Sequence, residues 1–196
     1  MREIFLPFKS KRGWLQIGLC ALIFIGMAVP FKVMVLIEGL TEVRPVNAVP
    51  VVAGLLLGPA GAWGCAVGNL AADLFGTFSK ASVFGFIGNF IAAYLPYKLW
   101  RLFGKKETPN VKSYKNLGRF ILVSAAGAVT TAAVITCGLK LALGAWMPSI
   151  FWIVLLNNFG FSIVLGLPVF IVLTSEESKL RAYMPEDPDS GGRSRL

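Results

Sequence analysis

With 196 residues, 56% of them apolar, 15% charged and a mean hydropathy of +0.70, the chain has too little charge to cover a water-soluble domain of its size. Its apolar residues run in long blocks rather than in the one-sided stripes of a water-facing helix, which points to a single bilayer domain. The net charge of +9 does not indicate nucleic acid: of 19 Lys and Arg, four precede Trp14, seven lie between Lys98 and Arg119 and four follow Thr174. Basic clusters separated by apolar spans mark one membrane face, not a phosphate-binding surface.

The pattern predicts an all-α integral membrane protein with six transmembrane helices and both termini cytoplasmic, multi-pass in a bacterial or archaeal inner membrane. A basic cytoplasmic N-terminal segment (1–13) leads into a membrane domain (14–173) and a disordered, Glu-, Asp-, Pro- and Ser-rich cytoplasmic tail (174–196). The first span covers about 14–34. Its basic flank and Gly26-Met27-Ala28 imitate a secretory signal, but the hydrophobicity continues and further spans follow. The second, about 43–57, holds Pro45 and Pro50 and falls short of the ~20 residues of a straight span, so it is tilted or partly re-entrant. Gly58-Pro59 turns the chain into the third span, 60–78; Ser79-Lys80 leads to the fourth, 83–103. A hydrophilic loop at 104–116 precedes the fifth, 117–143, and the sixth, 150–173. Six spans gather 15 basic residues on one face and leave Lys32, Arg44, Lys80 and Lys140 on the other. Trp14, Trp63 and Trp100 are expected at the inner interface, Trp146 and Trp152 at the outer.

In the third span, Ala60, Gly64, Gly68 and Ala72 recur every four residues and predict a smooth face for helix packing. One position on, Gly61, Cys65, Asn69 and Asp73 form a second stripe that turns polar toward the outer end. Buried carboxylates and amides in a bilayer are costly unless paired or wetted, so their depth is informative. Arg44, Asn47, Asn69, Asp73, Asn89 and the Asn157-Asn158 pair all fall in the outer halves of their spans. They are the candidate lining of an outward-facing pocket; the plainer reading is that they hydrogen-bond one another as glue between helices. Val67-Gly68-Asn69-Leu70 and Ile87-Gly88-Asn89-Phe90 resemble each other on neighbouring spans, but four residues do not establish an inverted repeat.

Catalytic signatures are lacking. There is no G-x-x-x-x-G-K-[ST] phosphate loop, HExxH or GxSxG sequence and no histidine, and Asp73 is the only acidic residue deep in a span. Cys20, Cys65 and Cys137 stand singly in apolar blocks and read as small packing residues. The chain is expected to be no enzyme and to need no cofactor or metal.

The run Val43-Arg44-Pro45-Val46-Asn47-Ala48-Val49-Pro50, then Gly54-Leu55-Leu56-Leu57-Gly58-Pro59-Ala60-Gly61-Ala62 and Gly64, closing on Gly68-Asn69 and Asp73, resembles the substrate-binding S components of energy-coupling factor (ECF) transporters. Arg44-Pro45-Val46-Asn47 is most similar to members that import queuosine precursors, with Asn47 where those tend to carry an acid. The resemblance implies a membrane-embedded binding subunit that captures a vitamin or related micronutrient near the outer face. It implies as partners a transmembrane coupling subunit and a pair of cytoplasmic ATPases, which the missing phosphate loop would leave to supply the energy. Within it, Arg44, Asn47, Asn69, Asp73, Asn89 and Asn157 are the substrate-binding candidates, with Phe75, Phe84 and Trp152 as apolar walls. The alternatives are a self-sufficient small carrier or channel and a non-transporting scaffold or assembly factor. The basic 98–119 region serves topology and anionic lipid, or docks a partner.

Overall fold

In the computed structural model of the chain, residues 2–33, 35–37, 41–42, 44–75, 78–104, 108–144 and 146–175 are described. The tail expected to be disordered lies outside them from residue 176 onward, as do Lys105 and Lys106 of the hydrophilic loop.

A 3-10 turn, Arg2–Lys9, leads into α1, Lys11–Ala28, which starts where the Ser10 hydroxyl accepts the Gly13 N–H at 3.0 Å. A 3-10 extension, Val29–Val33, comes next, and then a short antiparallel ribbon of β1, Val35–Ile37, and β2, Thr41–Glu42. The 3-10 turn Pro45–Ala48 runs directly into α2, Val49–Leu57. Gly58 then reverses the chain at φ +57°, a conformation that side-chain-bearing residues rarely adopt, and α3, Pro59–Asp73, begins with Pro at its first position. Next come α4, Ser82–Gly104, and α5, Tyr114–Leu143, the latter capped by Ser113 and ended by Gly144 in the left-handed region. α6, Pro148–Phe161, is continuous with α7, Leu167–Thr174, through a π-helical segment, Ser162–Gly166. Pro168 explains that segment: it has no N–H to offer Val164, and its ring crowds the carbonyl four residues back.

Among the described residues, three helical stretches are long and apolar enough to cross a bilayer: Lys11–Phe31, Tyr114–Leu143 and Pro148–Thr174. Pro45–Leu57 is a shorter apolar helix, as the two prolines foretold. α3 stops at Asp73 rather than running to 78, because the Leu74 and Phe75 N–H groups close back on Ala71 and Ala72. The small stripe of α3 lies on α1: a Cβ on Gly64 would stand 2.5 Å from Cys20 Cβ, and one on Gly68 2.7 Å from Phe24 Cβ. Such close approach replaces the hydrophobic drive that lipid does not supply. Cys20 and Cys65 are buried in this seam with their sulfurs 3.7 Å apart.

Trp100 is a correction. Expected in an interfacial belt, it is fully buried with Phe120 and Phe170, where α4, α5 and α7 meet. Large apolar side chains point outward along α1, α5 and α6–α7, including Leu15, Leu22, Leu122, Leu156 and Val164. A surface of this kind suits acyl chains rather than water.

Candidate functional site

The two ends of the helix bundle differ chemically. At the basic end the 3-10 turn is strapped across α3 and α4. The Trp63 indole donates to the Ile4 carbonyl at 2.9 Å, and the Trp14 indole to that of Phe8 at 3.1 Å, within a cluster that also holds Phe5 and Phe90. Glu3 pairs with Lys98 and accepts the Tyr94 hydroxyl at 2.7 Å. Burial raises the Glu3 carboxyl, but the hydrogen bonds from Lys98 and Tyr94 and the charges of Lys98 and Arg101 outweigh it and hold the group below its ordinary value.

The opposite end contains a cavity. Its lining is Arg44 and Asn47 from the 3-10 turn before α2, Asn89 from α4, Thr131 and Ile135 from α5, and Ile150, Val154, Asn157 and Asn158 from α6. It encloses about 50 Å³. That is room for roughly four water molecules, which occupy on the order of 120 Å³ in the liquid, the bulk of one small heterocycle.

Helix geometry puts these side chains together. Ile150, Val154, Asn157 and Asn158 recur at the three- and four-residue spacing of one α6 face, and Thr131 and Ile135 do the same on α5. α4 meets α5 closely because Gly88 and Gly138 carry no side chain: a Cβ on Gly138 would stand 2.1 Å from the Phe84 ring. Thr131 Oγ1 donates to the Gly88 carbonyl at 3.2 Å and so ties the two helices at cavity depth. Asn89 and Asn158 donate from Nδ2 to the carbonyls of Gly85 and Val154, each four residues back and each at 2.9 Å. The Ser162 hydroxyl, in the π segment just past the amides, donates to the Asn47 carbonyl at 3.5 Å and ties the sixth rod to the turn carrying Arg44 and Asn47.

Of the six residues singled out from sequence, Arg44, Asn47, Asn89 and Asn157 line this cavity. Asn69 and Asp73 stand behind it. Arg44 Nη2 donates to Asn69 Oδ1 at 3.0 Å, and Asn69 Nδ2 lies 3.4 Å from Asp73 Oδ2, so the carboxylate reaches the cavity through an amide and a guanidinium. Gly85 makes room for this chain, since a Cβ there would stand 2.8 Å from Asn69 Nδ2. Asn69, Asp73, Asn89 and Asn158 are 1%, 8%, 3% and 6% exposed, so the polar network lies inside the protein.

The apolar walls are other than expected. Phe75 and Trp152 are 64% and 61% exposed and face outward, and Phe84 fills the notch at Gly138. Ile135, Ile150 and Val154 take their place. Nothing in the sequence distinguishes these three from the lipid-facing aliphatics around them. Thr131 did leave a signal, a hydroxyl in mid-span, and Asn158 stood beside a residue already chosen.

The sequence profile of the family described as QueT transporter matches residues 14–175. The chain belongs to the QueT transporter family. No curated relative and no solved structure matches it. QueT proteins are S components of ECF transporters for queuosine precursors, so the resemblance read from residues 43–73 holds over nearly the whole helical region. QueT is a family of transporters, not of enzymes, and this QueT chain is a membrane protein of the substrate-binding class.

Proposed function

We propose that the chain is the substrate-binding subunit of an ATP-driven importer and that it captures a queuosine precursor, or a closely related small heterocycle, in the cavity between Arg44, Asn89, Thr131 and α6. The observation that carries this reading is the cavity itself: bounded by three helices and a 3-10 turn, and lined by amides, a guanidinium and aliphatic side chains. It sits at the end of the bundle away from the basic residues, which corresponds to the outer face if both termini are cytoplasmic.

In this reading six rods cross the inner membrane: α1, the turn at Pro45 with α2, α3, α4, α5, and α6 with α7. The second and third are short and span a locally thinned or tilted path. Arg44, Asn47, Asn89 and Asn157 contact the ligand, while Asn69 and Asp73 hold Arg44 in place. Because the chain has no phosphate loop, a transmembrane coupling subunit and an ATPase pair on the cytoplasmic side supply the energy.

The test is gentle purification of the membrane-embedded chain, with mass spectrometry of the small molecules it retains, and then transport assays in vesicles. The expected result is a retained deazapurine-type base, with uptake only when coupling subunit and ATPases are added. Uptake by the chain alone would point to a self-sufficient carrier. An empty protein that co-purifies with one membrane complex and binds no precursor would point to a scaffold.

A further inference from the structure

The cavity has a hydrogen-bond polarity that its residue names conceal. An asparagine amide offers two donors and an acceptor, and at ordinary detail its oxygen and nitrogen are interchangeable. Here the neighbours remove the ambiguity. The atom of Asn89 that lies 2.9 Å from the Gly85 carbonyl has to be the nitrogen, because a carbonyl oxygen only accepts, and the same holds for Asn158 against Val154. Each side chain is therefore anchored to its own helix by Nδ2, and its Oδ1 is an acceptor. The Thr131 hydroxyl carries one hydrogen, and that hydrogen goes to the Gly88 carbonyl. What Thr131 can offer a ligand is lone pairs only.

Among the described residues, the buried polar side-chain atoms sealed from any space and left without a partner are Ser124 Oγ and Thr136 Oγ1. Asn89 Oδ1 and Asn158 Oδ1 are not among them, although both residues are more than nine-tenths buried and both line the cavity. Asn89, Thr131 and Asn158 stand on three different helices, α4, α5 and α6, around one small space, and Arg44, a donor, lines it too. The amides of Asn47 and Asn157 complete the polar lining, and the walls between, Ile135, Ile150 and Val154, carry no polar side-chain group.

We propose that the cavity selects its ligand by a donor edge: N–H groups of a flat heterocycle are read by Asn89 Oδ1, Thr131 Oγ1 and Asn158 Oδ1. Arg44 takes a carbonyl or ring nitrogen of the same molecule. This deepens the binding role given to the cavity and rests on it. A ligand that turned carboxylate or phosphate oxygens toward Asn89 Oδ1, Thr131 Oγ1 and Asn158 Oδ1, rather than toward Arg44, would set acceptor against acceptor and bind more weakly. It also makes Thr131 and Asn158 determinants of specificity.

The experiment is a titration of the purified full chain with a queuosine precursor, a bicyclic lactam bearing an exocyclic amino group, and with two analogues. In one analogue the amino group is replaced by hydrogen; in the other it is replaced by a carbonyl oxygen, which turns a donor into an acceptor at the same place. For the native chain, affinity should fall about tenfold for the first and further for the second. In Thr131→Val, Asn89→Leu and Asn158→Leu, at least one variant should bind the parent more weakly and lose most of the discrimination, with parent and carbonyl analogue within about threefold. Thr131→Val keeps the shape of the side chain, so it reads polarity even if an amide variant folds poorly. If the native chain binds the parent but treats all three ligands alike, or if every folded variant discriminates as the native chain does, the polarity assignment is wrong while the binding role stands. If the parent does not bind at all, the queuosine-precursor reading falls and this inference with it.

Discussion

Along the α1–α3 seam, Gly64 and Gly68 let two helices approach until no space is left between Cys20, Phe24 and the α3 backbone. Across α4, α5 and α6, glycines 88 and 138 bring α4 against α5 just as closely, yet an opening remains between this pair and α6. The difference lies in the asparagines next to Gly68 and Gly88. Asn69 spends its oxygen on Arg44 and turns its nitrogen toward Asp73, whereas Asn89, on the cavity wall, is anchored by its nitrogen, which leaves its oxygen as an acceptor. Two similar Gly-Asn pairs thus do different work, one closing a network and the other leaving an acceptor to be filled.

The sharpest break of this comparison is a side chain in the seam. Gly64→Val should cost about 3 kcal/mol, the upper end for overpacking, because backbone and Cβ atoms, not a flexible tip, stand in its way. Thermal melting in detergent should show loss of most folded protein; a melt within about two degrees of the native chain would mean that the seam is not closed. At the cavity the order of effects should reverse. Arg44→Ala removes a charge-assisted donor and should lower ligand affinity by about thirtyfold, with a smaller loss in melting than Gly64→Val although it leaves Asn69 and Asp73 without their cation, as read by titration calorimetry alongside the melt. Gly85→Ala is gentler, since the nearest atom is the end of the Asn69 side chain, which can shift; a loss of a few-fold in affinity is expected, transmitted through Arg44.

The smallest effect belongs to the strap at the basic end. The Glu3 carboxyl titrates below its ordinary value of 4.5, so its contribution is fully present above about pH 4.5 and fades as the pH falls through the lowered value. Glu3→Gln should cost under about 1 kcal/mol near neutrality and progressively less as the pH falls below 4.5, measured as melting temperature against pH in the two proteins. A native chain whose melting relative to the variant does not change with pH would remove the ion pair from the account.

Much of this was legible in the residues themselves. Apolar blocks located the helices, Ala60-Gly64-Gly68-Ala72 announced a packing face, and amides in apolar surroundings announced a polar cluster because such groups are costly unless they serve one another or a ligand. What stayed hidden depends on tertiary approach. That Asn69 and Asp73 support Arg44 rather than face the cavity comes from the room at Gly85, a residue that a scan for polar groups passes over. Ile135, Ile150 and Val154 look like any lipid-facing aliphatic until α5 and α6 are packed. Trp100 looked interfacial because it is aromatic and near basic residues, yet Phe120 and Phe170 enclose it. The ribbon at β1 and β2 is too short to show an alternating pattern.

The most direct test of the central claim, that this cavity holds the transported ligand, is calorimetric titration of the purified chain and of Asn157→Ala with a queuosine precursor. The expected result is one molecule bound per native chain, at least a tenfold weaker affinity in the variant, and melting temperatures that agree without ligand. Equal affinities in two equally folded proteins would contradict it.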